Sequence, residues 1–139
     1  MKFNKTFIKE VVTAAPRDPL SLVARQMAKH NVGAVVITRQ DRPVGIITDR
    51  DLAMAVCADG LTRDTRAQEV MTCPIATIKE GEGVFQATRH MMEHHVRRLP
   101  VVDKKGKLVG LVSLDDLLLL VSRELHNVAE GIEGEVAAV

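Results

Sequence analysis

Residues 44–52 read VGIITDRDL and residues 109–117 read VGLVSLDDL, so one nine-residue pattern occurs twice at an offset of 65. The offset is 64 for five identities further upstream, which are Thr13 with Thr77, Arg25 with Arg89, Met27 with Met91, His30 with His94 and Val32 with Val96. It changes at a polar turn, where a chain tolerates a difference in length most easily. The sequence is therefore predicted to contain two copies of one unit of about 60 residues.

The composition excludes several classes of protein. The 139 residues include 19 basic and 18 acidic side chains, and this near balance predicts no nucleic-acid partner. Residues 1–7 contain no apolar run suited to a signal peptide, and no stretch is long enough to cross a bilayer, so no membrane partner is expected. Two cysteines without an export signal favour reduced thiols and a cytoplasmic location.

Each unit is predicted to contain an extended segment, a helix, a β-hairpin and a second helix. In the first unit, Asp18 suits a helix N-cap and Pro19 suits the first helical position. The β-branched runs 34–38 and 44–47 flank a polar turn, which indicates a buried hairpin. A helix is predicted to follow over residues 49–57.

The second unit repeats this order and is predicted to end in a helix over residues 114–123. Pro100, inside a strand run, suggests an edge strand or the start of a strand. A small sheet with helices on one face cannot cover itself, so the fold class is α/β (α+β), with two tandem β-α-β-β-α units packed with pseudo-twofold symmetry into one module. The predicted divisions are unit 1 at 1–60, a linker at 61–67, unit 2 at 68–125 and a flexible tail at 126–139.

Both copies end in the pattern Gly-apolar-apolar-Thr/Ser-x-x-Asp. Thr48 with Asp51, and Ser113 with Asp116, resemble capping boxes that would start a helix without any ligand. The same geometry lets a hydroxyl and a carboxylate bind paired ribose hydroxyls, while free helix N–H groups favour a phosphate. Because the pattern occurs twice in matching context, we favour a ligand site.

In the order and double occurrence of these motifs, the chain resembles the CBS domain family, named for cystathionine β-synthase, whose members occur as tandem pairs. The resemblance covers roughly residues 9–123 and is carried by the segments 13–18, 45–51, 70–74, 96–103 and 110–116. It implies that the pair binds an adenosine-containing molecule in a cleft between the units and dimerises into a flat disc.

The resemblance also implies which residues contact the ligand. The aspartates and hydroxyl residues of the repeated pattern would hold ribose, the threonines of the extended segments would lie beside base or phosphate, and residues 32–35 and 96–100 would form the walls. The predicted ligand-binding residues are Thr13, Gly33, Ala34, Val35, Thr48, Arg50, Asp51, Thr77, Val96, Arg97, Arg98, Leu99, Pro100, Ser113 and Asp116.

The two sites implied by the resemblance are not equivalent. Gly33 and Ala34 stand where the second copy has Arg97 and Arg98, so positive charge for a phosphate is unevenly supplied. Arg50 has an aspartate as its counterpart, which reverses the charge in the first turn of the helix. One site is therefore expected to bind a phosphorylated ligand better than the other, and the sequence leaves open which one.

The predicted function is a regulatory module that senses AMP, ADP, ATP, NAD or S-adenosylmethionine and signals occupancy to an unidentified regulated protein. No obligatory cofactor is predicted, and no recognisable acid–base or nucleophile set indicates an enzyme. The alternative is a structural homodimerisation module with vestigial pockets. A homodimer is expected in either case, because residues 117–121 are apolar on all sides of the predicted helix.

A metal site is not predicted from the histidines. His90 and His94 lie one helical turn apart, but the glutamate is not placed as in the zinc-protease motif. His30 and His94 occupy equivalent positions in the two copies, which favours a shared structural role.

Overall fold

The first unit consists of a three-stranded sheet and two helices. The structure, a computed structural model, describes residues 11–138, and the side chains of residues 11–135. Residues 1–10 of the predicted first unit and Val139 of the predicted tail lie outside the described residues. The elements of the first unit are β1 (Thr13–Ala14), α1 (Leu20–His30), β2 (Ala34–Arg39), β3 (Arg42–Thr48) and α2 (Asp49–Cys57).

The second unit repeats this architecture after a short 3-10 turn at Ala67–Glu69. Its elements are β4 (Ile78–Lys79), α3 (Val84–His94), β5 (Arg98–Val102), β6 (Leu108–Ser113) and α4 (Leu114–Ala138). In each sheet the short first strand is parallel to the central strand, and the central strand is antiparallel to the last. The β-α-β-β-α order predicted from the repeat is confirmed for both units.

Each unit has its own hydrophobic core between the sheet and its helices. In unit 1, the helical stripe of Leu20, Val23 and Met27 packs on the central strand residues Val35 and Ile37. In unit 2, the corresponding cluster includes the following residues: Ile78, Val84, Ala87, Met91, Leu99, Val101, Val112, Leu117 and Leu120. Both central strands are buried over four consecutive residues, as expected for a strand covered on both faces.

The linker predicted at 61–67 packs against unit 1. The Ala67 side chain is fully buried in the core of unit 1. The carbonyls of Thr65 and Arg63 accept hydrogen bonds from the amides of Leu20 and Ser21, at 2.9 and 3.0 Å. These are the first two amides of α1, which have no partner inside the helix.

The start of α1 therefore differs from the sequence prediction. Pro19 is the N-cap and gives no side-chain hydrogen bond to the helix. The Asp18 carboxylate instead accepts from the Ala15 amide at 2.7 Å and closes the preceding turn. The expectation that Asp18 caps α1 was wrong, because carbonyls distant in sequence occupy the helix amides.

The last helix, predicted over residues 114–123, continues to Ala138, and its apolar residues keep a helical spacing beyond Arg123. The flexibility predicted for residues 126–139 stays a prediction.

The placement of Pro100 needs correction. β5 is the central strand of its sheet, although β4 pairs only with Val101 and Val102. At Pro100 the strand has β6 as its one paired neighbour, so a residue without an amide N–H is tolerated there.

The segment after the linker covers the β3 strand of unit 1. Thr72 and Ile46 exchange backbone hydrogen bonds of 2.9 and 3.3 Å. A methyl group at Gly45 would overlap the Met71 side chain, whose Cγ and Cβ lie 2.7 and 2.9 Å from the position of the added carbon. The Cβ atom of Met71 is fixed by its backbone, so this overlap cannot be relieved by moving the end of the side chain.

We therefore predict that Gly45→Ala lowers the free energy of unfolding by about 1–3 kcal/mol, the usual cost of overfilling a packed site. The measurement is urea denaturation followed by circular dichroism. Gly81→Ala is the matched control, because an added methyl there meets nothing within 4 Å. Equal stability of the two variants would contradict the close packing of Met71 on β3.

Candidate functional site

A cleft of about 300 Å³ is lined by residues of both units. Unit 1 contributes its first extended segment and residues 31–34, and unit 2 contributes the start of α4 together with one residue from β5 and two from β6. The lining residues are Val11, Val12, Asn31, Val32, Gly33, Ala34, Arg98, Leu111, Ser113, Asp115 and Asp116. Five of these, Gly33, Ala34, Arg98, Ser113 and Asp116, were predicted from the sequence.

The polar end of the cleft is the capping box that starts α4. The Asp116 carboxylate accepts from the Ser113 amide at 3.0 Å and from the Ser113 hydroxyl at 2.8 Å, while the same hydroxyl accepts from the Asp116 amide at 3.1 Å. Asp116 is 6% exposed. The predicted capping geometry is confirmed, and it presents a hydroxyl, a carboxylate and a helix N-terminus to one cavity.

The opposite side of the cleft is formed by small residues. A carbon atom added at Gly33 would lie 3.3 Å from Asp49 Oδ2 and 3.6 Å from a terminal nitrogen of Arg98. The absence of a side chain at Gly33 therefore leaves room for the Arg98 guanidinium to reach from unit 2 towards unit 1. A flat group entering between these residues would meet the backbone of unit 1 and a cation of unit 2.

The neighbouring arginine has a different environment. Arg97 forms an ion pair with Asp115 at 3.5 Å, and the side chains are 70% and 78% exposed. Arg97 does not line the cleft, whereas Arg98 does. Of these two adjacent arginines, Arg98 is therefore the one that belongs to the cleft.

The capping box of the first unit has the same internal geometry but another position. The Thr48 amide donates to Asp51 at 2.8 Å, and the Asp51 amide donates to the Thr48 hydroxyl at 3.2 Å. Asp51 is half-buried, and neither residue lines this cleft. Arg50, also predicted as a contact, is exposed in the first turn of α2.

Three predicted wall residues belong to the core. Val35, Leu99 and Pro100 have fully buried side chains, and none of the three lines this cleft, so their contact with a ligand stays a prediction. Burial along each central strand is continuous, which places residues on both sides of the strand in packed interior. The accessible wall of unit 1 ends at Ala34.

The remaining predicted residues lie around the cleft. Thr13 lines an adjoining cavity of about 480 Å³ with Gln26 and His30, and this cavity shares Val11, Val12 and Val32 with the cleft. Val96 is half-buried and packs against the core of unit 2. Thr77 is half-buried directly before β4.

Several lining residues were missed by the sequence interpretation, namely Val11, Val12, Asn31, Leu111 and Asp115. Asn31 ends α1 in the left-handed conformation, with φ of 50°, and asparagine in such a position is a recognisable helix-stop signal. Nothing in the local pattern of the two valines distinguishes a cleft residue from a core residue.

Within residues 11–138, no helix combines the length and the apolar character that crossing a bilayer requires.

Comparison with known proteins places the chain in a family. The family model for the CBS domain matches residues 6–58 and 67–123. The protein MK0525 of Methanopyrus kandleri is 38% identical over 112 residues, covering 79% of this chain and 57% of that protein. The chain thus spans little more than half the length of this relative.

Solved structures show the same fold. The CBS domain protein PAE2072 from Pyrobaculum aerophilum, complexed with AMP, is 31% identical with a TM-score of 0.74, over 85% of this chain and 96% of that one. The CBS domain pair of MJ0100, in complex with methylthioadenosine and S-adenosylmethionine, is 28% identical with a TM-score of 0.76, over 86% and 95%. Two consecutive matches to the family model and these two neighbours show that the chain belongs to the CBS domain family, as a tandem pair.

Proposed function

We propose that the cleft binds an adenosine-containing nucleotide and that the protein is a regulatory sensor, a binding module without catalytic activity of its own. The observation that carries this proposal is the meeting of the Ser113–Asp116 capping box with residues 31–34 of the other unit in one cavity. The AMP complex of PAE2072 and the adenosyl complexes of MJ0100 support the same class of ligand.

The chemistry of the cleft suits the three parts of a nucleotide. A carboxylate can accept hydrogen bonds from two neighbouring hydroxyls, so Asp116, with Ser113 beside it in the cleft lining, would hold the ribose. The apolar side chains of Val12 and Val32 offer a surface for the base. Arg98 and the N-terminus of α4 supply positive potential for a phosphate.

The asymmetry between the copies supports a choice of site. Asp116 is buried in a cavity that also contains Arg98, whereas the half-buried Asp51 lies outside that cavity. We therefore propose the Ser113–Asp116 cleft as the better phosphate-binding site. The matching Thr48–Asp51 site, with Arg50 and the residues around Thr77 and Val96, is proposed as the weaker of the two.

Signalling would use the contacts between the units. The Asp41 carbonyl accepts from the Leu108 amide at 2.9 Å, and a terminal nitrogen of Arg42 lies 2.8 Å from the position of a carbon added at Gly106. A ligand that contacts both units has differential affinity for their relative orientations, so its binding shifts the population towards one of them. The regulated protein would read that orientation.

A thermal-shift panel of AMP, ADP, ATP, NAD, S-adenosylmethionine and GTP tests the proposal. We expect stabilisation by at least one adenosyl compound and none by GTP, because a ligand at a hundredfold its dissociation constant adds about 2.7 kcal/mol.

Asp116→Asn should weaken binding about tenfold or more, since the amide cannot accept from both ribose hydroxyls. Asp51→Asn, the matched control, should retain most of the affinity. Equal losses in the two variants would contradict the choice of site, and no shift with any compound would contradict the sensor.

The two adjacent arginines provide a second test. Arg98→Gln should weaken ATP binding about tenfold while changing adenosine binding little, because a charge-assisted contact to phosphate is lost. Arg97→Gln is the control, since that side chain is exposed and paired with Asp115. The measurement is isothermal titration with both ligands. An equal loss for ATP and adenosine would reject phosphate contact by Arg98.

The alternative, a homodimerisation module, is favoured by a surface of α4. Leu117 and Leu120 are buried in the core of unit 2, while an adjacent face of the same helix carries the α4 stripe, five apolar residues that are 37–66% exposed. They are Leu118, Val121, Leu125, Val128 and Ile132. Their alternating spacing of three and four residues is the heptad pattern of helices that pair with each other. We propose that the α4 stripe packs against the same stripe of a second copy.

Sedimentation of the purified chain tests this pairing. Leu125→Glu should raise the dimer dissociation constant about tenfold or more, because each copy then loses a buried leucine and gains a charge at the contact. Asn127→Glu adds the same charge to the same helix beside the stripe and should leave the dimer unchanged. A monomeric wild-type chain, or equal behaviour of the two variants, would reject the stripe as the dimer contact.

A further inference from the structure

The helix α3 carries a group of metal-ligating side chains that the proposed function does not use. His90, Glu93 and His94, here called the α3 cluster, lie on one helix face, and their nearest donor atoms are all within 4.8 Å of one another. The two imidazole rings stack with their centroids 6.2 Å apart and their planes inclined by 21°.

The separation of the donors is close to what a metal requires. Zinc binds imidazole nitrogen and carboxylate oxygen at about 2.0–2.2 Å, so donors of a tetrahedral site lie roughly 3.3–3.5 Å apart. Small rotations of side chains at the surface, where His94 and Glu93 are exposed, would close the remaining distance. Water would fill the fourth position, as in sites with three protein ligands.

One contact competes with a metal for the cluster. Arg89 Nε donates to Glu93 Oε1 at 2.9 Å, with both side chains about half exposed or more. This hydrogen bond lowers the pKa of Glu93 from its usual value. An exposed ion pair of this kind contributes little stability and yields readily to a stronger ligand.

The first unit shows that the fold does not require these residues. The helix α1 has the same length as α3 and likewise ends in a left-handed residue. At the offset of 64, its equivalents of the α3 cluster are Gln26, Lys29 and His30. The first unit thus lacks two of the three ligands and has a lysine in place of the glutamate. The α3 cluster is therefore a property of the second unit.

We propose that His90, Glu93 and His94 form a surface site for a divalent transition metal, with Zn²⁺ as the ion that best fits two imidazoles and one carboxylate. Bound metal would fasten the final turn of α3, whose last residue is His94. This inference does not depend on nucleotide binding in the cleft.

Calorimetric titration of the full chain with Zn²⁺, after treatment with a chelator and without a polyhistidine tag, tests the site. We expect one ion per chain and a rise in melting temperature with Zn²⁺. His94→Ala should lower the affinity at least tenfold, and Glu93→Gln should lower it by a smaller factor. His126→Ala is the matched control, because His126 also lies four residues from a carboxylate, Glu130, on an exposed helix face.

The exposed thiols of Cys57 and Cys73 could also bind zinc. Zinc binding should persist in a chain carrying Cys57→Ser and Cys73→Ser. Absence of binding in the wild-type chain, loss of binding in this double variant, or an unchanged affinity in His94→Ala would each overturn the α3 site.

Discussion

In both units, the first amide of the second helix donates a hydrogen bond to the carbonyl just before the central strand. The donor is Asp49 with the acceptor Gly33 at 3.0 Å, and Leu114 with Arg97 at 2.8 Å. This bond fixes the capping box of each unit beside the residues that lead into its own hairpin. The cleft depends on this hydrogen bond. The capping box of α4 can face residues 31–34 only if the box stays at the start of α4 and residues 31–34 stay at the start of β2.

The motif that caps α4 is also the one proposed to bind the ligand. The hydroxyl and carboxylate of the α4 box satisfy helix amides that would otherwise lack partners, so the fold holds them in a fixed orientation without a ligand. A preorganised acceptor loses little conformational freedom when a nucleotide binds, which favours affinity. Structural capping and ligand binding are therefore compatible uses of Ser113 and Asp116.

The second unit also carries two surface features outside the cleft, the α4 stripe and the α3 cluster. The α4 stripe is the contact proposed for a second copy of the chain, and the α3 cluster is the site proposed for a metal ion. Both lie on helices whose other faces form the core of unit 2. These helices belong to the same unit as Arg98 of β5 and Asp116 of α4, which line the cleft.

The sequence by itself determined the fold, because a pattern repeated at offsets of 64 and 65 specifies two similar units, and local capping chemistry specified where α2 and α4 begin. It misjudged Asp18, since carbonyls distant in the sequence occupy the first amides of α1, and it ended the last helix at residue 123, although the apolar spacing of Leu125, Val128 and Ile132 is present in the sequence. Only the tertiary structure decided that Asp116 is buried in the cleft with Arg98 while Asp51 is not. The physical reason is that equivalent residues of a repeat have the same local geometry, whereas burial and cavity shape depend on how the second copy packs against the first.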